Sequence, residues 1–80
     1  MKNFAFINTE YKSEWKQGEG YEKGSAVPNP DGTWAVYDGK QNYMGTIGAD
    51  GTLLCAGEPT EYKHTFLRAA AAARGEERSV

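Results

Sequence analysis

A single cysteine, Cys55, excludes a disulfide within the chain, and with it the cross-linked framework on which many small secreted domains depend. A reducing cytoplasmic location is the expectation. One histidine, His64, leaves too few ligands for structural zinc, which takes four Cys or His side chains in closely spaced pairs. His64 follows Lys63, lies four residues before Arg68 and three after Glu61, and no Ser or Cys nucleophile motif accompanies it, so it reads as part of a solvated helix face. No run approaches the roughly 20 apolar residues of a membrane span, and MKNFAFINTEYK is too short and too weakly apolar for a signal peptide. Charge of one sign is missing too: 9 Lys and Arg stand against 11 Asp and Glu, for a net charge of −2. That balance argues against a general nucleic-acid binder, which needs clustered cations, and is too slight for a DNA mimic. The 10 glycines include the string GEGYEKG, but it lacks the strand, loop and helix order of a phosphate-binding loop. Of the carboxylates Glu10, Glu14, Glu19, Glu22, Asp31, Asp38 and Asp50, most lie at turns or in the polar N-terminal third, and nothing pairs them for acid–base catalysis. No enzymatic activity, metal or cofactor is expected.

What is present is enough for one small domain over residues 1–80. Hydrophobic residues make up 39% and charged ones 25%, a globular balance with a small core. Phe4 to Ile7 reads as a strand near the centre of a small sheet. Tyr11 and Trp15 sit four apart with Glu10/Glu14 and Lys12/Lys16 in step, which predicts a helical turn or loop before the glycines at 18, 20 and 24. A strand near Tyr21 to Val27 follows and ends at Pro28-Asn29-Pro30-Asp31-Gly32, a strong turn. Thr33 to Asp38 places Trp34 and Val36 on one face and Tyr37 on the other; Asn42 to Ile47 places Tyr43, Gly45 and Ile47 together, opposite Met44 and Thr46. Thr52 to Ala56 completes the meander, with Cys55 as a small apolar residue at its end. Asp31-Gly32-Thr33 recurs as Asp50-Gly51-Thr52, which is turn chemistry and not an internal repeat. Pro59 opens a helix over Thr60 to Arg74, with Tyr62, Phe66, Ala69, Ala70 and Ala73 on one stripe, Leu67 beside them, and Gly75 as its cap. Residues 76–80 are expected to fray. The fold class is therefore α+β: a small antiparallel meander of four to five strands with one C-terminal helix packed on one face. The second face must be polar, bind a partner or be hidden in a homodimer.

The chain carries more aromatics than such a core can enclose. Phe4 or Phe6, Trp34 and Phe66 fill it, which leaves Tyr11, Trp15, Tyr21, Tyr37, Tyr43 and Tyr62 for the rim or the outer sheet face. Surplus Tyr and Trp mark protein interfaces, although tyrosines bordering a tiny core would give the same composition. Tyr37 and Tyr43 flank the Asp38-Gly39-Lys40 turn, so their rings are expected to meet at one end of the sheet with Asp38 and Lys40 as a charged rim. Tyr37, Asp38, Lys40, Tyr43, Tyr11 and Trp15 form the candidate binding set. In length, mild acidity and tyrosine content the chain resembles the small single-domain proteins that phages encode against bacterial defence, anti-CRISPR inhibitors among them. That resemblance implies stoichiometric binding to a larger host complex such as a CRISPR effector, without chemistry, and assigns a role to no particular residue. The expected function is a protein-binding module acting as monomer or homodimer, with no membrane partner. The alternative is a single-stranded nucleic-acid module that stacks bases on the sheet tyrosines.

Overall fold

The computed structural model describes residues 2–12 and 21–78. Five strands, β1 (Phe4–Lys12), β2 (Tyr21–Pro28), β3 (Trp34–Asp38), β4 (Tyr43–Ile47) and β5 (Leu53–Leu54), precede one helix, α1 (Glu61–Arg78). Every neighbouring pair is antiparallel and the order in space is the order in sequence, β1-β2-β3-β4-β5. The strand that begins at Phe4 therefore lies at the edge of the sheet and not near its centre, as its apolar run predicts; α1, not a second neighbouring strand, covers its phenylalanines. The expected α+β meander with one helix on one face is the architecture found.

Alternation along the strands sends Phe4, Phe6 and Asn8 of β1, Ala26 of β2, and Trp34 and Val36 of β3 to the face that α1 covers. Phe66, Leu67 and Ala70 meet them from the helix and are fully buried. An aromatic chain runs through the layer: Trp34 on Phe4 at 4.9 Å between centroids, Phe4 on Phe6 at 6.4 Å, Phe6 on Phe66 at 6.3 Å, and Phe66 on Tyr62 at 5.2 Å. Both phenylalanines of β1 are therefore core, where the composition required only one. The buried amide of Asn8 is satisfied: its Nδ2 donates to Thr65 Oγ1 at 2.8 Å, its Oδ1 accepts from the Glu10 amide at 3.1 Å, and Thr65 in turn donates to the Tyr62 carbonyl. Thr65, buried between apolar neighbours on the helix, is thus a core residue that hydrophobic periodicity could not identify.

Several boundaries differ from the sequence expectation. The first strand extends through Lys12, so Glu10 and Tyr11 are extended and not part of a helical turn; Trp15 and Lys16 lie outside the described residues. The pairing register slips between Asn8 and Lys12, which lets β1 continue past the point where its apolar pattern stops. The last strand shrinks to Leu53–Leu54, and Cys55 is half-buried against the core edge. Thr60 is the helix N-cap, its Oγ1 accepting the Lys63 amide at 3.1 Å, which leaves Pro59 just outside. Gly75 lies inside α1, which runs on to Arg78. One glycine costs a helix about 1 kcal/mol, and the alanine run before it together with Glu76, Glu77 and Arg78 after it are good helix formers.

Because Trp34 ends the aromatic chain on the sheet and Phe66 is its link from the sheet to the helix, truncating either to alanine is expected to cost about 3 to 5 kcal/mol in a denaturant melt. A loss under about 1 kcal/mol at either position would show that the site collapses around the gap and that the aromatic chain is not what holds helix to sheet.

Candidate functional site

Three turns link β2 to β5, and they share a geometry. Asn29 and Thr33 bracket the first, where Gly32 donates to the Asn29 carbonyl at 3.1 Å; Gly48 and Thr52 bracket the third, where Gly51 donates to the Gly48 carbonyl at 3.0 Å. In each the glycine sits at φ +92° and the preceding Asp accepts from the following Thr through amide and hydroxyl. The second turn, Asp38 to Asn42, closes the same way, with Gln41 donating to the Asp38 carbonyl at 3.1 Å, but the left-handed position is held by Gln41 at φ 68°. A side chain there costs about 1 to 2 kcal/mol that glycine avoids. Backbone strain of this kind gathers at functional sites, and here it lies between Tyr37 and Tyr43.

Asp38 holds that turn together. Its Oδ1 accepts the amides of Lys40 at 2.8 Å and Asn42 at 2.9 Å, while Oδ2 accepts Asn42 Nδ2 at 3.1 Å and the Tyr62 hydroxyl at 2.9 Å. The residue is 2% exposed, so Asp38 does not form a charged rim beside the tyrosines. Alternation explains the difference: Val36 points into the core, Tyr37 away from it, and Asp38 inward again to reach the helix. Burial pushes the Asp38 carboxyl up, but the bonds from Asn42, Tyr62 and Lys40 outweigh it and leave the group below its ordinary value. For Tyr62, burial first and the bond to Asp38 second push the hydroxyl well above its usual range, so it remains a donor.

On the far side of the sheet, register builds two rows of facing residues. One row is Ala5, Ser25, Tyr37 and Tyr43; the other is Val27, Ala35, Thr46 and Leu54. The rings of Tyr37 and Tyr43 meet at 5.8 Å between centroids with an interplanar angle of 57°, and the Tyr43 hydroxyl bonds to Thr46 Oγ1. Tyr43 is 42% exposed, Leu54 48% and Ile7, next to the first row, 56%. This composition contradicts the face expected for Tyr43, which sits opposite to Ile47 and not beside it. The reason is a bulge: Gly45 faces Val36 and Tyr43 faces Tyr37, so Met44 is an extra residue that turns into the core, and parity reverses between Ile47 and Tyr43. Gly45 permits it with φ 141°, and a Cβ there would stand 2.8 Å from the Leu54 carbonyl oxygen.

The structure therefore brings Tyr37 and Tyr43 together, with Lys40 exposed on the turn between them, and withdraws Asp38 beneath it. Tyr11 is elsewhere: its ring stands edge-on to Tyr62 at 4.7 Å, on the helix side. Ile7 and Leu54 are the surface residues that strand patterning missed, and their registers opposite Lys23 and Thr46 are what place them. Compared with known protein families, curated proteins and solved structures, the chain matches none.

Two measurements probe the turn. Replacing Gln41 with glycine is expected to stabilise the domain by about 1 kcal/mol in a denaturant melt; a neutral or destabilising result would mean that Gln41 carries no strain. Asp38→Asn, which removes the acceptor for Tyr62 and Asn42 Nδ2, is expected to cost about 1 to 3 kcal/mol at neutral pH. The depressed Asp38 carboxyl contributes stability that is complete above its ordinary 3.8 and is lost as pH falls through the lower native value. The gap between wild type and Asp38→Asn should accordingly close on acidification below about pH 4, and a gap that widened there would refute the assignment.

Proposed function

We propose that this chain is a non-enzymatic protein-binding module that docks through the sheet face opposite α1, with the Tyr37–Tyr43 pair at the centre of contact. The observation that carries the reading is the pre-packed aromatic pair on an open face, held by a strained turn and flanked by small residues, Ala5 and Ser25. Two rings already in contact lose little freedom on binding, and Tyr offers both an apolar body and a hydroxyl to a partner surface. Ile7, Val27 and Leu54 extend the face with apolar area, while Ser25, Thr46 and the two tyrosines supply hydroxyl groups. The partner that fits is a folded protein surface with an apolar centre and hydrogen-bonding groups around it. The resemblance in size and composition to anti-CRISPR inhibitors supports a stoichiometric inhibitor of a larger host complex as the biological setting.

Base stacking on the same tyrosines is less well supported, because the strand positions of the two rows carry no cation and, among the described residues, Lys23 and Lys40 are the cations beside them. The test is capture from nuclease-treated bacterial lysate by wild type and by Tyr37→Ala/Tyr43→Ala, followed by titration of the purified target. The double variant should bind at least about tenfold more weakly, roughly 1.4 kcal/mol, with an unchanged far-ultraviolet spectrum. Equal affinity removes this face from the interaction. Tight binding to an oligothymidylate that falls steeply with salt and with Lys40→Ala would replace the protein reading with the nucleic-acid one.

A further inference from the structure

Sheet order leaves one long side of β1 without a strand beside it among the described residues, whereas the opposite edge strand, β5, is only 2 residues long. Native edges are usually blunted by charge, proline or extreme shortness. From Phe4 to Thr9, β1 has none of these. Next to that edge, between β1 and α1, lies a groove of about 430 Å³ whose walls include Phe6, Ala69, Ala72 and Ala73 and whose border is the Glu10–Arg68 ion pair. The alanines leave room beside the strand on its helix-facing side.

We propose that two copies of this chain pair antiparallel through β1, about a two-fold axis at Phe6, to form one continuous sheet. Such an axis stands perpendicular to the sheet, so facing residues must point to the same side, and the axis has to pass through a residue. At Phe6, Lys2 faces Glu10 of the partner subunit at both ends, Ala5 faces Ile7 of the partner subunit on the outer face, and Phe6 meets Phe6 of the partner subunit beside the groove. The neighbouring registers are worse. An axis at Ala5 sets Lys2 against Asn8 of the partner subunit, one at Ile7 sets Phe4 against Glu10 of the partner subunit, and one at Asn8 sets Phe6 against Glu10 of the partner subunit, so among the described residues none of them pairs Lys2 with an acid. Opposite charges facing across a pair stabilise it and like charges do the reverse, so the sequence of this edge selects its own copy in one register. The pairing uses a different surface from the Tyr37–Tyr43 pair and presents that pair twice, once on each subunit, on the same side of the joined sheet.

Sedimentation equilibrium of the full chain from about 1 to about 200 μM at low salt should show the mass rising from 8.8 kDa toward twice that value. A mass that stays at 8.8 kDa throughout overturns the proposal. Register is read by cross-linking on a Cys55→Ser background. Facing positions lie within reach of a disulfide and diagonal ones do not, so Ala5→Cys and Ile7→Cys chains should link to each other when mixed, and neither to itself. Self-linking of Ile7→Cys in preference to the mixture overturns the pairing at Phe6. Lys2→Glu, which sets two carboxylates face to face, should weaken the dimer by about fivefold or more at low salt, and an unchanged association constant would count against it as well.

Discussion

The carboxylate of Asp38 is where the sheet, the strained turn at Gln41 and the helix are joined. Four donors converge on it, two of them backbone amides of the turn, one the side chain of Asn42 and one the hydroxyl of Tyr62 on α1. A buried carboxylate with fewer partners would be costly, and this one is tolerated because its bonds replace the water it has lost. The same residue therefore fixes how Tyr37 leaves β3, how Tyr43 enters β4, and where the first turn of the helix lies. Tyr62 passes the constraint on, since its ring packs on both Phe66 and Tyr11 and so ties the turn to the aromatic chain of the core.

Around that anchor, the two faces of the sheet have different tasks. The helix-side face spends its apolar side chains on the core and satisfies its buried polar group, Asn8, through Thr65. The other face carries the tyrosine pair, and the pair exists because of one inserted residue. Without Met44 as a bulge, Tyr43 would follow Ile47 into the core and Tyr37 would stand alone; with it, the core gains a methionine and the surface gains a second ring. Bulges that re-aim a side chain recur at functional sites, and the strain at Gln41 lies three residues before Met44.

The β1 edge, which no strand pairs among the described residues, and the face opposite α1 are both consequences of building a meander with a single covering helix. A linear strand order must end somewhere, and one helix has one apolar stripe. The chain blunts the β5 end by brevity and leaves the β1 end long, with Lys2 and Glu10 near its limits.

Local chemistry in the sequence determined an antiparallel meander of four to five strands, its turns and the helix stripe, because Asp-Gly turns, period-two alternation and the Tyr62–Phe66–Ala70 spacing act within a few residues of one another; the edge position of β1 came only with the fold. It also determined that Trp34 and Phe66 are core and that Tyr37 and Tyr43 are neighbours. Tertiary structure alone decided which way Tyr43 points, since a bulge is a property of two paired strands and depends on what Val36 and Leu67 leave room for. It decided that Asp38 is buried, because the hydroxyl that stabilises it comes from a helix 24 residues away along the chain. It extended β1 to Lys12 and placed Tyr11 against Tyr62, where pairing with β2 and packing on the helix outweighed the local helical signal at Glu10 and Tyr11. Period and turn residues encode what neighbours in sequence do to each other; the orientation of the site was set by contacts between segments that only folding brings together.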